Sequence, residues 1–277
     1  MDRYREIKEN LLNIARQDPD VLAVIAFGSS VRTNTPADEF SDLDLLLVCE
    51  KPEAWLYGDR PAKLGEIKIS FTEPTFAGAM ERRMLYGGAL VLDLIVLTKQ
   101  QLELAAESGV LSEVLSRGYR VLYDNAGIGD RLEKLPEPQH REMTQQEFTN
   151  TVNDFWFHTV WAARKILRGE LWTAKMCVDA YLKSLLLKML EAARAGREDV
   201  WHDGRFLENW AGEDVVAALG SCFAHYDKSD LAAALHHTAG LFGDLSRCVA
   251  VRYGFPALAS EENSARFLLD TYLGEIK

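Results

Sequence analysis

The chain has 277 residues, a formal net charge of −11 and 48% hydrophobic residues, which fits two domains or one elaborated domain with ample apolar content to bury. Acidic residues outnumber basic ones in both halves and no Lys/Arg run occurs, which argues against nucleic-acid binding; no apolar run approaches the ~20 residues of a membrane span. Cys49, Cys177, Cys222 and Cys248 are widely spaced with no Cys-x-x-Cys, so they read as reduced packing residues rather than zinc ligands or a disulfide framework.

In chain order, Ile7, Leu11, Leu12 and Ile14 give an apolar stripe that predicts a helix from Tyr4 to Arg16, broken by Asp18-Pro19-Asp20. The start Met1-Asp2-Arg3-Tyr4-Arg5-Glu6 lacks the charged-then-apolar layout of a secretion signal, and the expected compartment is the cytoplasm. Strands follow at Val21 to Phe27, Leu43 to Cys49 and Glu66 to Phe71. Gly87-Gly88 reads as a hairpin turn joining Arg82–Tyr86 to Ala89–Leu97. A helix over Lys99 to Ala106 and a short strand at Arg120 to Tyr123 complete a mixed α/β region, and Asn125 to Arg141, with two glycines and two prolines, reads as a linker. Thr144-x-x-Glu147 is a capping box opening a helix to about Arg168. Helices over Leu171–Ala193, Asp214–Phe223, Ser229–Arg252 and Ser260–Leu273 make the second half a bundle.

The chemistry concentrates at three acids. Asp42 and Asp44 are two apart, so on a strand they project from one face. Asp93 has four apolar residues on either side, and a charge inside such a strand is costly unless a cation neutralises it. Three carboxylates at one sheet edge are enough to fix Mg²⁺ through oxygen ligands, and Asp93 is also a candidate base. Arg82 or Arg83 is the alternative partner for Asp93. Upstream, Gly28-Ser29 ends an apolar strand, and Ser30-Val31-Arg32 is expected to begin a short helix whose N–H groups receive phosphate oxygens, with the Ser29 hydroxyl and Arg32 adding a donor and a charge.

The arrangement of Gly28-Ser29, Asp42-x-Asp44 and Asp93 resembles the nucleotidyltransferase superfamily. The run from Arg32 through Ser41 to Asp44, the segment Glu147 to Trp156, and Leu167-Arg168-Gly169-Glu170-Leu171, Leu187 to Glu191 and Tyr253-Gly254-Phe255-Pro256 are similar to the aminoglycoside 6-adenylyltransferase family. Two residues, Ser30 and Val31, separate Gly28-Ser29 from Arg32 where that family runs Gly-Ser-Arg directly, and the stretch between Asp44 and Asp93 is shorter than in its members. The resemblance implies an α+β fold: a polymerase-beta-like nucleotidyltransferase domain with a mixed sheet over residues 1–135, followed by a helical, acceptor-binding bundle over residues 136–277. It implies Mg²⁺ held by Asp42, Asp44 and Asp93, ATP as co-substrate held by Gly28, Ser29, Arg32 and Ser41, and adenylyl transfer to an aminoglycoside, at best guess the 6-position of streptomycin.

The site is expected between the acidic strands and the bundle. Lys175, Asp179 and Lys183 share one helix face: either the lysines reach the triphosphate while Asp179 binds a cationic acceptor, or the face carries an internal salt bridge. Asp154, beside Phe155-Trp156, is a second acceptor candidate. Trp156, Trp161, Trp172, Trp201 and Trp210 read mainly as core, and the histidines as structural. An acidic surface suits a polycationic aminoglycoside. A lincosamide or protein hydroxyl as acceptor, a non-catalytic nucleotide-binding module, and a monomeric or homodimeric state all remain open at this point.

Overall fold

The computed structural model describes residues 2–32, 37–137, 142–196, 200, 202–274 and 276. Residues 33–36 of the family-like run, 138–141 of the expected linker, and Trp201 lie outside them. The chain divides into two compact units, Met1–Gln139 and His140–Lys277.

The first unit is built on a six-stranded mixed sheet. Its elements are α1 (Arg5–Gln17), β1 (Val21–Phe27), β2 (Leu43–Cys49), α2 (Glu53–Leu56), β3 (Ile67–Pro74), β4 (Met80–Tyr86), β5 (Leu90–Leu97), α3 (Lys99–Glu107), α4 (Val110–Leu115), β6 (Tyr119–Asp124) and α5 (Ile128–Leu132). The strand order is β3-β4-β5-β2-β1-β6. Every pairing is antiparallel except β2 with β5. Both central strands are buried on two sides, which is why they read as nearly unbroken apolar runs. Leu43, Leu45, Leu47, Leu92, Leu94 and Val96 face a core shared with α1 and Trp55. Leu46, Val48, Ile95 and Leu97 face a second core shared with α3, α4 and α5.

The second unit is helical: α6 (Gln145–Leu167), α7 (Leu171–Met176), α8 (Leu182–Arg194), α9 (Leu207–Trp210), α10 (Glu213–Cys222), α11 (Lys228–Tyr253) and α12 (Ala259–Leu273). The Thr144–Glu147 capping box forms, with both reciprocal bonds present. The core is aromatic at its centre, where Phe155 and Phe242 stack 3.6 Å apart with Trp156 edge-on to both. Together the units give the α+β class expected from the sequence. Among the described residues, no helix is long and apolar enough to cross a membrane.

Several local expectations are corrected. The segment after Gly28-Ser29 is a single 3₁₀ turn, Gly28–Ser30, rather than a helix beginning at Ser30. The Gly28 carbonyl takes the N–H groups of both Val31 and Arg32, so the turn closes on itself. The expected linker contains α5, because the Asp124 carboxylate collects the N–H groups of Ala126, Ile128 and Gly129 and starts a helix there. The helix predicted from Leu171 is interrupted by a π turn at Cys177–Tyr181 between α7 and α8. Cys248 is exposed and not a packing residue, while Cys49, Cys177 and Cys222 are buried free thiols. Burial pushes the Cys49 thiol up to about 12, which makes it inert.

Because Phe242 is fully buried on a stacked partner, Phe242→Ala is expected to destabilise the helical unit by about 3–5 kcal/mol. Denaturant unfolding followed by near-UV circular dichroism checks this.

Candidate active site

One row across the sheet carries the site. The register aligns Phe27 with Asp44, Asp44 with Asp93, Asp93 with Arg83, and Arg83 with Phe71. Asp44 and Asp93 share the face covered further along by α3–α5, since residues two further on, Leu46 and Ile95, enter that core. Asp42 immediately precedes β2 and reaches the same place. One carboxylate oxygen from each of Asp42, Asp44 and Asp93 lies within 4.8 Å of the others.

The Gly28–Ser30 turn abuts this row. Gly28 has φ +65°, and a Cβ there would sit 2.1 Å from Asp44 Oδ2, so only glycine admits the carboxylate. Ser29 is buried, and its hydroxyl donates to the Asp42 carbonyl at 3.3 Å. That bond ties the turn to the first carboxylate. Ser41 closes an Asp38 turn: its hydroxyl donates to Asp38 Oδ1 at 2.9 Å and accepts from the Asp38 N–H at 3.0 Å.

Asp93 is only 8% exposed, and its Oδ1 has no hydrogen-bond partner among the described residues. Arg83 lies 3.7 Å from Oδ2, but it also pairs with Glu73 at 2.8 Å and Glu81 at 3.5 Å. Being half-exposed and shared, it does not outweigh desolvation. Burial pushes the Asp93 carboxyl up to about 6; Arg83 pulls it down, and Glu81 and Asp42 raise it further. Burial likewise raises the Glu81 carboxyl. Arg82 points to the opposite face, donating to the carbonyls of Trp55 and Gly58 and to Ser70.

The remaining candidates lie in the helical unit. The Asp154 carboxylate accepts the Tyr181 hydroxyl at 2.8 Å and contacts His158 Nδ1 at 2.6 Å. Phe157 and Trp161 flank that imidazole. Lys175 pairs with Asp179 at 2.5 Å and donates to the Ala224 carbonyl, so the internal salt bridge forms. Lys183 donates to Thr238 Oγ1 at 2.7 Å and the Val178 carbonyl at 3.0 Å, and burial pulls its amine down to about 8.

The turn, the paired acids and the third acid are thus assembled in space. The sequence profile of the streptomycin adenylyltransferase family matches residues 1–271. The chain belongs to that family. A curated relative, the aminoglycoside 6-adenylyltransferase of Campylobacter jejuni, is 21% identical over 283 residues, covering 97% of this chain and 96% of the relative. Among solved structures, the Bacillus subtilis aminoglycoside 6-adenyltransferase aligns over 98% of this chain and 99% of its own, with 16% identity and a TM-score of 0.45. A spectinomycin adenyltransferase from Enterococcus faecialis, solved with ATP and spectinomycin, aligns over 96% of this chain and 98% of its own, with 11% identity and a TM-score of 0.32. As a member of the streptomycin adenylyltransferase family, the chain is an aminoglycoside adenylyltransferase.

Sequence reasoning passed over Glu73, Glu81, Tyr4, His158 and Tyr181. Glu81 was within reach of pattern reading, since it shares strand parity with Arg83. Tyr4 and Tyr181 depend on pairings between distant segments, Glu73 on the register of β3 with β4, and His158 on a contact with Asp154 one turn away in α6.

The residues fit a divalent cation. The donors are hard oxygens, one of them buried and unpartnered, and Gly28 leaves Asp44 the room to join them. Without a cation the cluster strains the fold. Asp93 titrates near 3.8 unfolded and about 6 folded, so the folded chain holds the extra proton between those values. Stability of the metal-free protein should therefore fall as pH rises from about 4 to about 6 and level off above. Asp93→Asn should flatten that window and raise stability at pH 7 by about 1–3 kcal/mol, read from urea melts across pH; an unchanged slope would contradict it.

Proposed function

We propose that this enzyme transfers the adenylyl group of ATP to a hydroxyl of an aminoglycoside, with the 6-position of streptomycin as the preferred acceptor, releasing pyrophosphate. The observation that carries the reading is the convergence of Asp42, Asp44 and Asp93 beside the Gly28–Ser30 turn, in a chain of this family. The curated relative's name supports the 6-position.

In this reading Asp42, Asp44 and Asp93 would hold Mg²⁺ through their carboxylate oxygens, and the bound ion would supply charge neutralisation for the displacement at the α-phosphorus. The Gly28–Ser30 turn, Arg32 and Ser41 line the triphosphate side, with Ser29 fixing Asp42 through its carbonyl. Asp93, whose Oδ1 has no protein hydrogen-bond partner among the described residues, takes the proton of the attacking hydroxyl at its carboxylate. The new bond joins the acceptor oxygen to the α-phosphorus, the bond to the β-phosphate bridging oxygen breaks, and pyrophosphate departs.

The helical unit recognises the acceptor. Asp154 provides the anionic partner for a guanidinium or ammonium group, Phe157, Trp161 and Tyr181 provide aromatic faces for a sugar ring or cation, and Asp179 is a further acid in the same unit. The net charge of −11 favours a cationic acceptor over a neutral or acidic one.

Incubation of the protein with ATP, Mg²⁺ and a panel of aminoglycosides and lincosamides, read by mass spectrometry, is the test. One AMP increment on streptomycin is expected. Asp93→Asn should slow its formation about 10²–10⁴-fold. Adduct on a lincosamide or on protein alone would replace the acceptor, and transfer at the normal rate by Asp93→Asn would overturn the role of Asp93.

A further inference from the structure

Tyr4 immediately precedes α1, far in sequence from any of the three acids, yet its hydroxyl touches both segments that carry them. It donates to the Ser41 carbonyl at 2.8 Å, one residue before Asp42. It accepts the Val91 N–H at 3.2 Å, two residues before Asp93. The parallel pairing of β2 with β5 starts at Leu43 with Leu92. Continued by one residue, that register sets Asp42 against Val91, and in a regular parallel ladder the Val91 N–H would bond directly to the Ser41 carbonyl. The Tyr4 hydroxyl stands in that rung, replacing one direct bond by two.

Its placement is fixed from behind. The ring is 8% exposed and packs in the core between α1 and the sheet. The Tyr4 N–H donates to Asp2 Oδ1 at 3.1 Å, Asp2 pairs with Lys8 at 2.5 Å, and the Tyr4 carbonyl takes the Lys8 N–H at 2.9 Å. A hydroxyl carried on a rigid ring therefore enters the ladder at a set depth. Beyond it the two strands cannot close on each other, and the Asp42 segment is held one hydroxyl away from β5.

We infer that Tyr4 is a positioning residue, a spacer whose hydroxyl sets the gap between the Ser41-Asp42 and Val91-Asp93 segments and thereby the separation of the carboxylates that hold the divalent cation. This rests on the reading of the three acids as a metal site. Removing the hydroxyl leaves two alternatives. Either the Val91 N–H and Ser41 carbonyl close directly, narrowing the site, or both lose this partner and the Asp42 segment loosens. Both displace Asp42 from Asp93.

The experiment is a Mn²⁺ titration of the full chain, followed by the electron paramagnetic resonance of the free ion, on wild type and Tyr4→Phe. The variant is expected to bind Mn²⁺ about 10-fold more weakly, as loss of an outer partner of a metal ligand does. Its KM for metal–ATP should rise while its KM for the aminoglycoside stays unchanged. Two companions separate positioning from general loosening. Ile7→Ala, in the same helix and the same core, should lower the melting temperature and leave Mn²⁺ affinity unchanged. Substitution of Tyr4 by 4-aminophenylalanine, which keeps a donor and an acceptor on the same ring, should retain that affinity. Wild-type Mn²⁺ affinity in Tyr4→Phe, equal weakening in Ile7→Ala, or equal weakening in the amino variant would each overturn the inference while leaving adenylyl transfer intact. Weakened Mn²⁺ binding in Tyr4→Phe with no transfer to any aminoglycoside would sink the proposed acceptor and sustain the spacer.

Discussion

Like charge brought together out of water is the constraint around which the first unit is organised. Asp42, Asp44 and Asp93 place carboxylate oxygens within 4.8 Å of one another, a spacing at which each ionised pair repels by about 3–4 kcal/mol at the effective dielectric of a half-buried site. Glu81 and Glu73 add negative charge beside them, and Arg83 is a half-exposed counter-ion divided among Glu73, Glu81 and Asp93. The sheet must therefore be stable enough to hold an arrangement that by itself opposes folding. Two buried faces supply that stability. β2 and β5 each send alternate residues into separate cores, and the acids occupy the stretch of one face that α3–α5 leave open.

That arrangement explains why the only parallel pair in the sheet joins β2 to β5. An antiparallel neighbour would run Asp42 and Asp44 past Asp93 in the opposite sense. The parallel register instead aligns Asp44 with Asp93 and leaves both strand starts at the same end. There the turn after β1, which pairs antiparallel with β2, also arrives. Gly28 is required at that meeting point by space as well as by its positive φ, because Asp44 fills the volume a side chain would take. The chain thus concentrates a turn, a carboxylate pair and a third carboxylate at one sheet edge with no loop longer than the connections that deliver them.

Much of this was legible in the sequence, for a physical reason. Buried strands announce themselves by apolar content, and β1 and β2 match their predicted limits, Val21 to Phe27 and Leu43 to Cys49. A charge in such a run stands out, so Asp93 could be picked without an alignment. What failed to show rests on individual hydrogen bonds and ion pairs. The 3₁₀ turn at Gly28–Ser30 ends where it does because one carbonyl takes two N–H groups. The helix at Ile128–Leu132 exists because Asp124, the last residue of β6, turns its carboxylate onto the following amides. The π turn at Cys177–Tyr181 carries Asp179 and Tyr181, which bind Lys175 and Asp154. Single pairings of this kind, whether four residues apart as Lys175–Asp179 or 27 as Tyr181–Asp154, leave no apolar periodicity to read, and the choice between Arg82 and Arg83 was settled by which face of β4 each occupies.

The helical unit handles its charges by the opposite route. Lys183 is half-buried, and its amine has Thr238 Oγ1 and a backbone carbonyl as acceptors and an aromatic face beside it. Lys175 is neutralised by Asp179. Asp154 meets the Tyr181 hydroxyl and the His158 ring instead of a lysine or arginine. A carboxylate held by a phenol and an imidazole is fixed in orientation by two groups on different helical turns. Three acids left short of counter-charge in one unit, and an acid held by a phenol and an imidazole among aromatics in the other, are thus two different settings for negative charge.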